Sequence, residues 1–223
     1  MKLPPGAQQP PRAVNGETIA VRPLGATDYA TTWHAMQAFT GQRDDHTPDE
    51  IWLTEHPPIY TLGLAGRREH VLRDNGIPVL KVDRGGQVTY HGPGQLVAYT
   101  LVDMRRQRYG IRDMVRRIEG AVVEWLDSIG IFSYGKPSAP GVYVLRDGVE
   151  AKIAALGLKV RRGCTYHGVA INVAMDLMPF ADIDPCGFRG LAVTQIADFG
   201  VSRTVVDAGR EFAPHLALHL NRP

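Results

Sequence analysis

The chain has 223 residues, 44% hydrophobic and 22% charged, so it is sized for one large or two small domains and composed like a soluble globular protein rather than a disordered or fibrous one. No apolar run approaches the roughly 18 residues of a membrane span, and the start, Met1 to Pro11, carries no apolar core of a secretion signal. Twenty-five basic against 23 acidic side chains leave a net charge of +2, which argues against a dedicated nucleic-acid binder.

Residues 1–17 read as a flexible Pro-rich arm, and residues 18–223 as one domain, because no polar linker splits 18–205. A strand is expected over Thr18–Arg22, then a helix capped near Thr27 or Asp28, with Tyr29, Trp33, Met36 and Phe39 as its apolar stripe and Gly41 closing it. Ile51–Thr54 and Ile59–Leu62 read as strands around Pro57-Pro58, the second ended by Gly63, and Gln95–Val102 reads as another. The clearest helix spans Ile111–Ile129, where Ile111, Val115, Ile118, Val122 and Trp125 keep a helical period and Gly130 follows. Three strands are expected after it, at 141–145, 153–160 and 168–173, the first two joined by an Asp147-Gly148 turn. A last helix over Thr204–Leu220 contains Pro214, which is expected to kink or interrupt it. Hairpin-grouped strands with a few helices between them predict an α/β (α+β) domain, its mixed, largely antiparallel sheet packed by helices on at least one side.

Two cysteines, Cys164 and Cys186, do not make a disulfide framework, and without an export signal the expected compartment is the cytoplasm. Cys186 lies between Pro185 and Gly187, a turn setting where a thiol is often accessible. Cys164 follows Arg161 and Arg162, whose charges would lower its pKa, so local charge favours Cys164 as the reactive thiol. A buried small apolar group is the plain alternative for either. His91 and His167, set in glycine-bearing loops, are the histidines placed to accept a thiol proton, and Lys152, inside an apolar run, is the further candidate. A zinc site using Cys164, His167 and Cys186 lacks a paired Cys-x-x-Cys spacing, so no metal is expected. The stretch 83–95 holds four glycines and one proline in thirteen residues, which suits either close backbone approach to a ligand or a plain hairpin loop. It has neither the third glycine of a dinucleotide fingerprint nor a Gly-Lys-Ser/Thr.

Taken in order, the segments Glu55–Gly63, Arg84–Gln95, Lys152–Gly157, Arg162–Gly168 and Pro185-Cys186-Gly187 resemble the LipB family of lipoyl(octanoyl) transferases. The resemblance spans roughly residues 18–200. It implies the biotin/lipoate protein ligase catalytic fold and an acyltransferase that moves an octanoyl group from octanoyl-acyl carrier protein to a lysine of lipoyl domains, in lipoate biosynthesis. Those acceptors include 2-oxoacid dehydrogenase subunits and the glycine-cleavage H protein. By the same resemblance the acyl-thioester cysteine is Cys186, against the local charge argument, and its partner is Lys152. The substrate-binding segments become Arg84, Gly85, Gly86, Gln87, Val88, Thr89, Tyr90 and His91, then Ala155, Leu156 and Gly157, then Gly168, Val169 and Ala170. No cofactor is implied beyond the phosphopantetheine of the carrier protein, and neither nucleic acid nor membrane is an expected partner. Carrier proteins are acidic, so Arg105, Arg106, Arg108, Arg116 and Arg117 are candidate docking residues. The alternatives are an ATP-dependent lipoate or biotin ligase, a non-catalytic acyl- or lipoyl-domain-binding protein, and a cysteine hydrolase using His91 or His167.

Overall fold

A computed structural model describes residues 19–184 and 191–221. The arm at 1–17, Thr18 and the Pro185-Cys186-Gly187 motif lie outside those residues. In chain order the described elements are β1 (Ala20–Ala26), α1 (Tyr29–Gln42), β2 (Glu50–Glu55), β3 (Ile59–Leu62), β4 (Val79–Lys81), β5 (Val88–His91), β6 (Gln95–Leu101), α2 (Ile111–Ser128), β7 (Ser133–Gly135), β8 (Gly141–Arg146), β9 (Val149–Arg161), β10 (Cys164–Asn172), β11 (Ala192–Val193) and α3 (Val205–Asn221). The mixed α/β architecture expected from the sequence is the one observed.

Alternation along β6 explains the layering. Its seven residues are all buried, which requires cover on both faces. Leu96 and Ala98 join Val169 and Ile171 of β10 under Ile118, Val122 and Trp125 of α2 and Phe212 and Leu216 of α3. Val97, Tyr99 and Leu101 point the other way, where Met36 of α1 and Trp52 of β2 cover them. The main sheet runs β1-β2-β6-β10-β9-β8-β7, with β11 beside β9. Its pairs are antiparallel except β1 with β2 and β11 with β9. A small sheet, β4-β3-β5, has its own core of Tyr60, Leu62, Val88, Tyr90, Phe180 and Ile183.

Several local expectations change. The first strand begins later, at Ala20, and runs on to Ala26. Gly41 does not close α1: the helix continues to Gln42 and stops at Arg43, which is extended (φ −60°, ψ 142°). Arg43 pairs with Asp49 and donates to the Leu101 carbonyl at 2.7 Å, so a side-chain anchor rather than a left-handed glycine draws the chain off the helix. In α1, Trp33 and Phe39 are only half-buried, and Thr32 and Thr40 share the covered face with Tyr29 and Met36. In α2, Ile111 is exposed and Met114, Ala121 and Leu126 complete the buried face. Pro214 does not interrupt α3. Both turn residues between β8 and β9, Asp147 (φ 50°) and Gly148 (φ 78°), are left-handed, as the hairpin reading requires. Arg162 (φ 51°) and Gly163 (φ 79°) repeat that geometry between β9 and β10. Among the described residues no helix is long and apolar enough to cross a membrane.

Candidate active site

The small sheet closes over the α1 side of the main sheet and leaves a cleft of about 770 Å³, open solvent included. Its floor is Val97 and Tyr99 of β6, Gly168 to Ala170 of β10 and Ala155 to Gly157 of β9, and its roof comes from the stretch 84–91. Gly157 and Gly168 face each other across β9 and β10, so the centre of the floor carries no side chains. The roof crosses directly above: the Gly85 N–H donates to the Leu158 carbonyl at 2.8 Å, and a Cβ on Gly157 would stand 2.9 Å from the Gly85 carbonyl oxygen.

Lys152 reaches this cleft because β9 changes phase. Tyr143 of β8 pairs with Lys152 while Val142 pairs with Ala154, so Ile153 is an extra residue. Ala151 and Ile153 face the α2–α3 core, and so do Ala154 and Leu156 beyond the bulge. Lys152, Ala155 and Gly157 consequently share the cleft side. Unbulged alternation would have put Lys152 and Ala155 on opposite faces. The lysine is 5% exposed. Its Nζ lies 3.4 Å from the Pro140 carbonyl oxygen and 5.0 Å from the centre of the Tyr143 ring, while its own carbonyl accepts the Thr194 N–H at 3.0 Å.

Of the residues expected from the sequence, Arg84, Gly86, Gln87, Val88, Thr89, His91, Lys152, Ala155, Leu156, Gly157, Gly168, Val169 and Ala170 line the cleft. Gly85 instead ties the roof to β9, and Tyr90 packs against Phe180 in the small-sheet core. Arg84 is buried and donates to the Thr61 carbonyl (2.7 Å), the Thr61 hydroxyl (2.8 Å) and the Gln87 carbonyl (3.0 Å), so its guanidinium braces the roof.

Cys186 lies outside the described residues. The chain reaches that stretch through Asp184 and returns at Leu191, and both border a second cleft that shares Phe180 and Val193 with the first. Val193 also pairs with Lys152. Cys164 does not line the main cleft. It is 3% exposed, and burial, with Asp103 beside it, raises its pKa; the arginines that oppose this are Arg43 and Arg105. The local charge argument from Arg161 and Arg162 is therefore overturned, because tertiary burial outweighs sequence neighbours.

His91 and His167 stand in strands, not loops. Gln95 donates its amide to Tyr90 and Asn172, leaving its oxygen to accept the His91 Nδ1 proton at 2.7 Å. Burial holds that imidazole neutral, its pKa down to about 3. His167 meets Asp83 through Nε2 at 2.9 Å, and Asp83 also receives the Trp33 indole at 2.8 Å and the Tyr166 hydroxyl. Sequence reasoning missed Tyr29, Tyr99, Asn172 and Phe180, which complete the walls. Tyr29 was legible only as a core residue of α1; the pairing of distant strands brings in Tyr99 and Asn172, and the packing of a short helical turn (Met178–Asp182) against Tyr90 brings in Phe180.

The candidate docking arginines do not line the cleft. Arg105 pairs with Asp103 (2.8 Å), Arg116 with Asp113 (2.5 Å), Arg106 donates to the Thr47 carbonyl (2.9 Å) and Arg117 to the His219 carbonyl (2.8 Å). Among the described residues no three His, Cys, Asp or Glu side chains gather as metal ligands.

Comparison with known proteins agrees with this fold. Residues 28–216 match the family model of the lipoyl protein ligase A/B catalytic domain. An octanoyltransferase of Laribacter hongkongensis is 56% identical over 203 residues, covering 91% of this chain and 96% of that protein. Among solved structures, the bipartite lipoate protein ligase of Thermoplasma acidophilum superposes with TM-score 0.73 at 19% identity, over 92% of this chain and 84% of that one. The biotin protein ligase of Aquifex aeolicus does so with TM-score 0.52 at 12% identity, over 92% and 71%. With the match running from α1 nearly to the end of α3, the chain belongs to the lipoyl protein ligase A/B catalytic-domain family.

Proposed function

We propose that the chain is an octanoyltransferase of lipoate biosynthesis, moving an octanoyl group from octanoyl-acyl carrier protein, through a thioester on Cys186, to a lysine of lipoyl domains. Acceptors of the expected kind are 2-oxoacid dehydrogenase subunits and the glycine-cleavage H protein. The observation that carries this reading is a buried lysine turned by a bulge into a mainly apolar cleft whose floor is a glycine pair. About six methylenes of an octanoyl chain buried there contribute on the order of 5 kcal/mol at ~0.8 kcal/mol each.

The steps follow from the chemistry of thioesters. Lys152 takes the thiol proton of Cys186, and the thiolate attacks the donor carbonyl. The new carbon–sulfur bond forms, the bond to the phosphopantetheine sulfur breaks, and the Lys152 ammonium protonates that leaving thiolate. A neutral target amine then attacks the Cys186 thioester, Lys152 accepts its proton, and the Cys186 thiolate departs. Thioester exchange is nearly neutral and amide formation is downhill, so no nucleotide is consumed. Backbone N–H groups of the glycine segments are suited to hold the oxyanion.

Intact-mass spectrometry with octanoyl-acyl carrier protein and no ATP tests this. One octanoyl adduct should map to Cys186, vanish in Cys186→Ser and persist in Cys164→Ser. Lys152→Ala should slow adduct formation by ~100-fold or more at neutral pH. An adduct on Cys164, or acceptor modification that requires ATP, would overturn the reading.

A further inference from the structure

Glu119 is a buried carboxylate that the acyl-transfer steps leave unused. It projects from the middle of α2, is 9% exposed, and its Oε1 accepts the Gly141 N–H at 2.8 Å. The carbonyl of that same peptide group, Pro140 O, faces Lys152 Nζ at 3.4 Å. One amide therefore stands between a carboxylate and an ammonium, its N–H end toward the negative group and its C=O end toward the positive one. Charge at either end polarises such a group and strengthens the bond at the other.

The close approach depends on missing side chains. Gly141 has φ 134°, and a Cβ there would lie 2.8 Å from the Ala154 carbonyl oxygen and 3.2 and 3.3 Å from Cε and Nζ of Lys152. Gly135, on β7, leaves the same kind of room for the carboxylate, since its Cβ would stand 3.2 Å from Glu119 Oε2.

We infer that Glu119 is a positioning residue for Lys152: through the Pro140–Gly141 peptide it orients the ammonium and favours the charged form that stabilises the Cys186 thiolate. The inference rests on the reading of Lys152 as proton carrier. Burial raises the Glu119 pKa, and the Gly141 N–H and Lys152 oppose that rise. Of the other charges near the pair, Arg112, Arg116 and Lys136 border the outer groove that Glu119 and Pro140 also line. Arg116 is bound to Asp113 (2.5 Å) and Lys136 to Glu150 (2.6 Å). On the Lys152 side, the Tyr143 ring of β8 lies about 5 Å from both Lys152 and Lys136.

Glu119→Gln keeps an acceptor for Gly141 and removes the charge. With less negative charge nearby, the pair of Cys186 and Lys152 should lose its protons more readily, so both limbs of the pH profile for Cys186 acylation should move to lower pH, by roughly one unit. Glu119→Asp, which keeps the charge, should stay near the wild-type profile. A Glu119→Gln profile superimposable on wild type overturns the inference. A second measurement needs no activity: the side-chain carboxyl of Glu119, followed by carbon-13 NMR, should titrate at higher pH in Lys152→Met than in wild type, because the coupling is reciprocal. An unmoved midpoint overturns the inference as well. Failure of the parent reading is separate, since it would appear as wild-type acylation by Lys152→Met.

Discussion

Gly168 and Gly148 lack side chains for different physical reasons, and the difference is measurable. A Cβ on Gly168 would lie 1.9 Å from the Ala98 carbonyl oxygen, a backbone atom of the neighbouring strand that cannot swing away. Gly168→Ala should therefore force β6 and β10 apart and cost about 3 kcal/mol, seen as a lower urea midpoint, with octanoyl transfer lost as the floor buckles. Gly148 has open space around it but φ +78°, so Gly148→Ala should cost only about 1 kcal/mol in the same melt, with activity retained. The sequence announces Gly148 through its aspartate partner. It does not announce the reason for Gly168, because Ala98 is seventy residues away in the chain and meets it only through the β6–β10 register.

At the level of elements, what could be read was what is local. The β8–β9 hairpin follows from Asp147-Gly148 between two apolar runs, and α2 from its period and the following Gly130 (φ 82°). Of the small sheet only β3 was legible: Val88–His91 sits inside the glycine-rich stretch and becomes a strand because Ile59–Leu62 pairs with it. The three residues of β4 carry too little pattern to be seen before β3 offers them an edge. Lys152 was legible as a candidate through its apolar surroundings and the family resemblance, yet its direction was not. A bulge at Ile153 decides that direction, and no local residue type marks it.

Across the whole molecule, Asp83 links the two sheets. It lies in the segment between β4 and β5, and it receives Trp33 of α1 (2.8 Å), His167 of β10 (2.9 Å) and Tyr166. Burial opposes its ionisation, but these donors together hold its pKa far below the usual carboxylate range. A depressed native pKa means that the stabilisation is complete above the unfolded value, near 4, and is lost as pH falls toward the native one. Asp83→Asn should thus lower the melting temperature at pH 7 and flatten its decline between pH 4 and pH 2, where wild type should fall steeply. Equal slopes in that interval would remove Asp83 from the acid response. The doubled step at Ile153 also governs how this protein can be recombined with its relatives. A hybrid joined within 149–161 must inherit the odd residue together with the flanks it serves, on β8 as well as β9. One built with a single insertion or deletion there would present a buried core residue to the substrate and send its ammonium into oil.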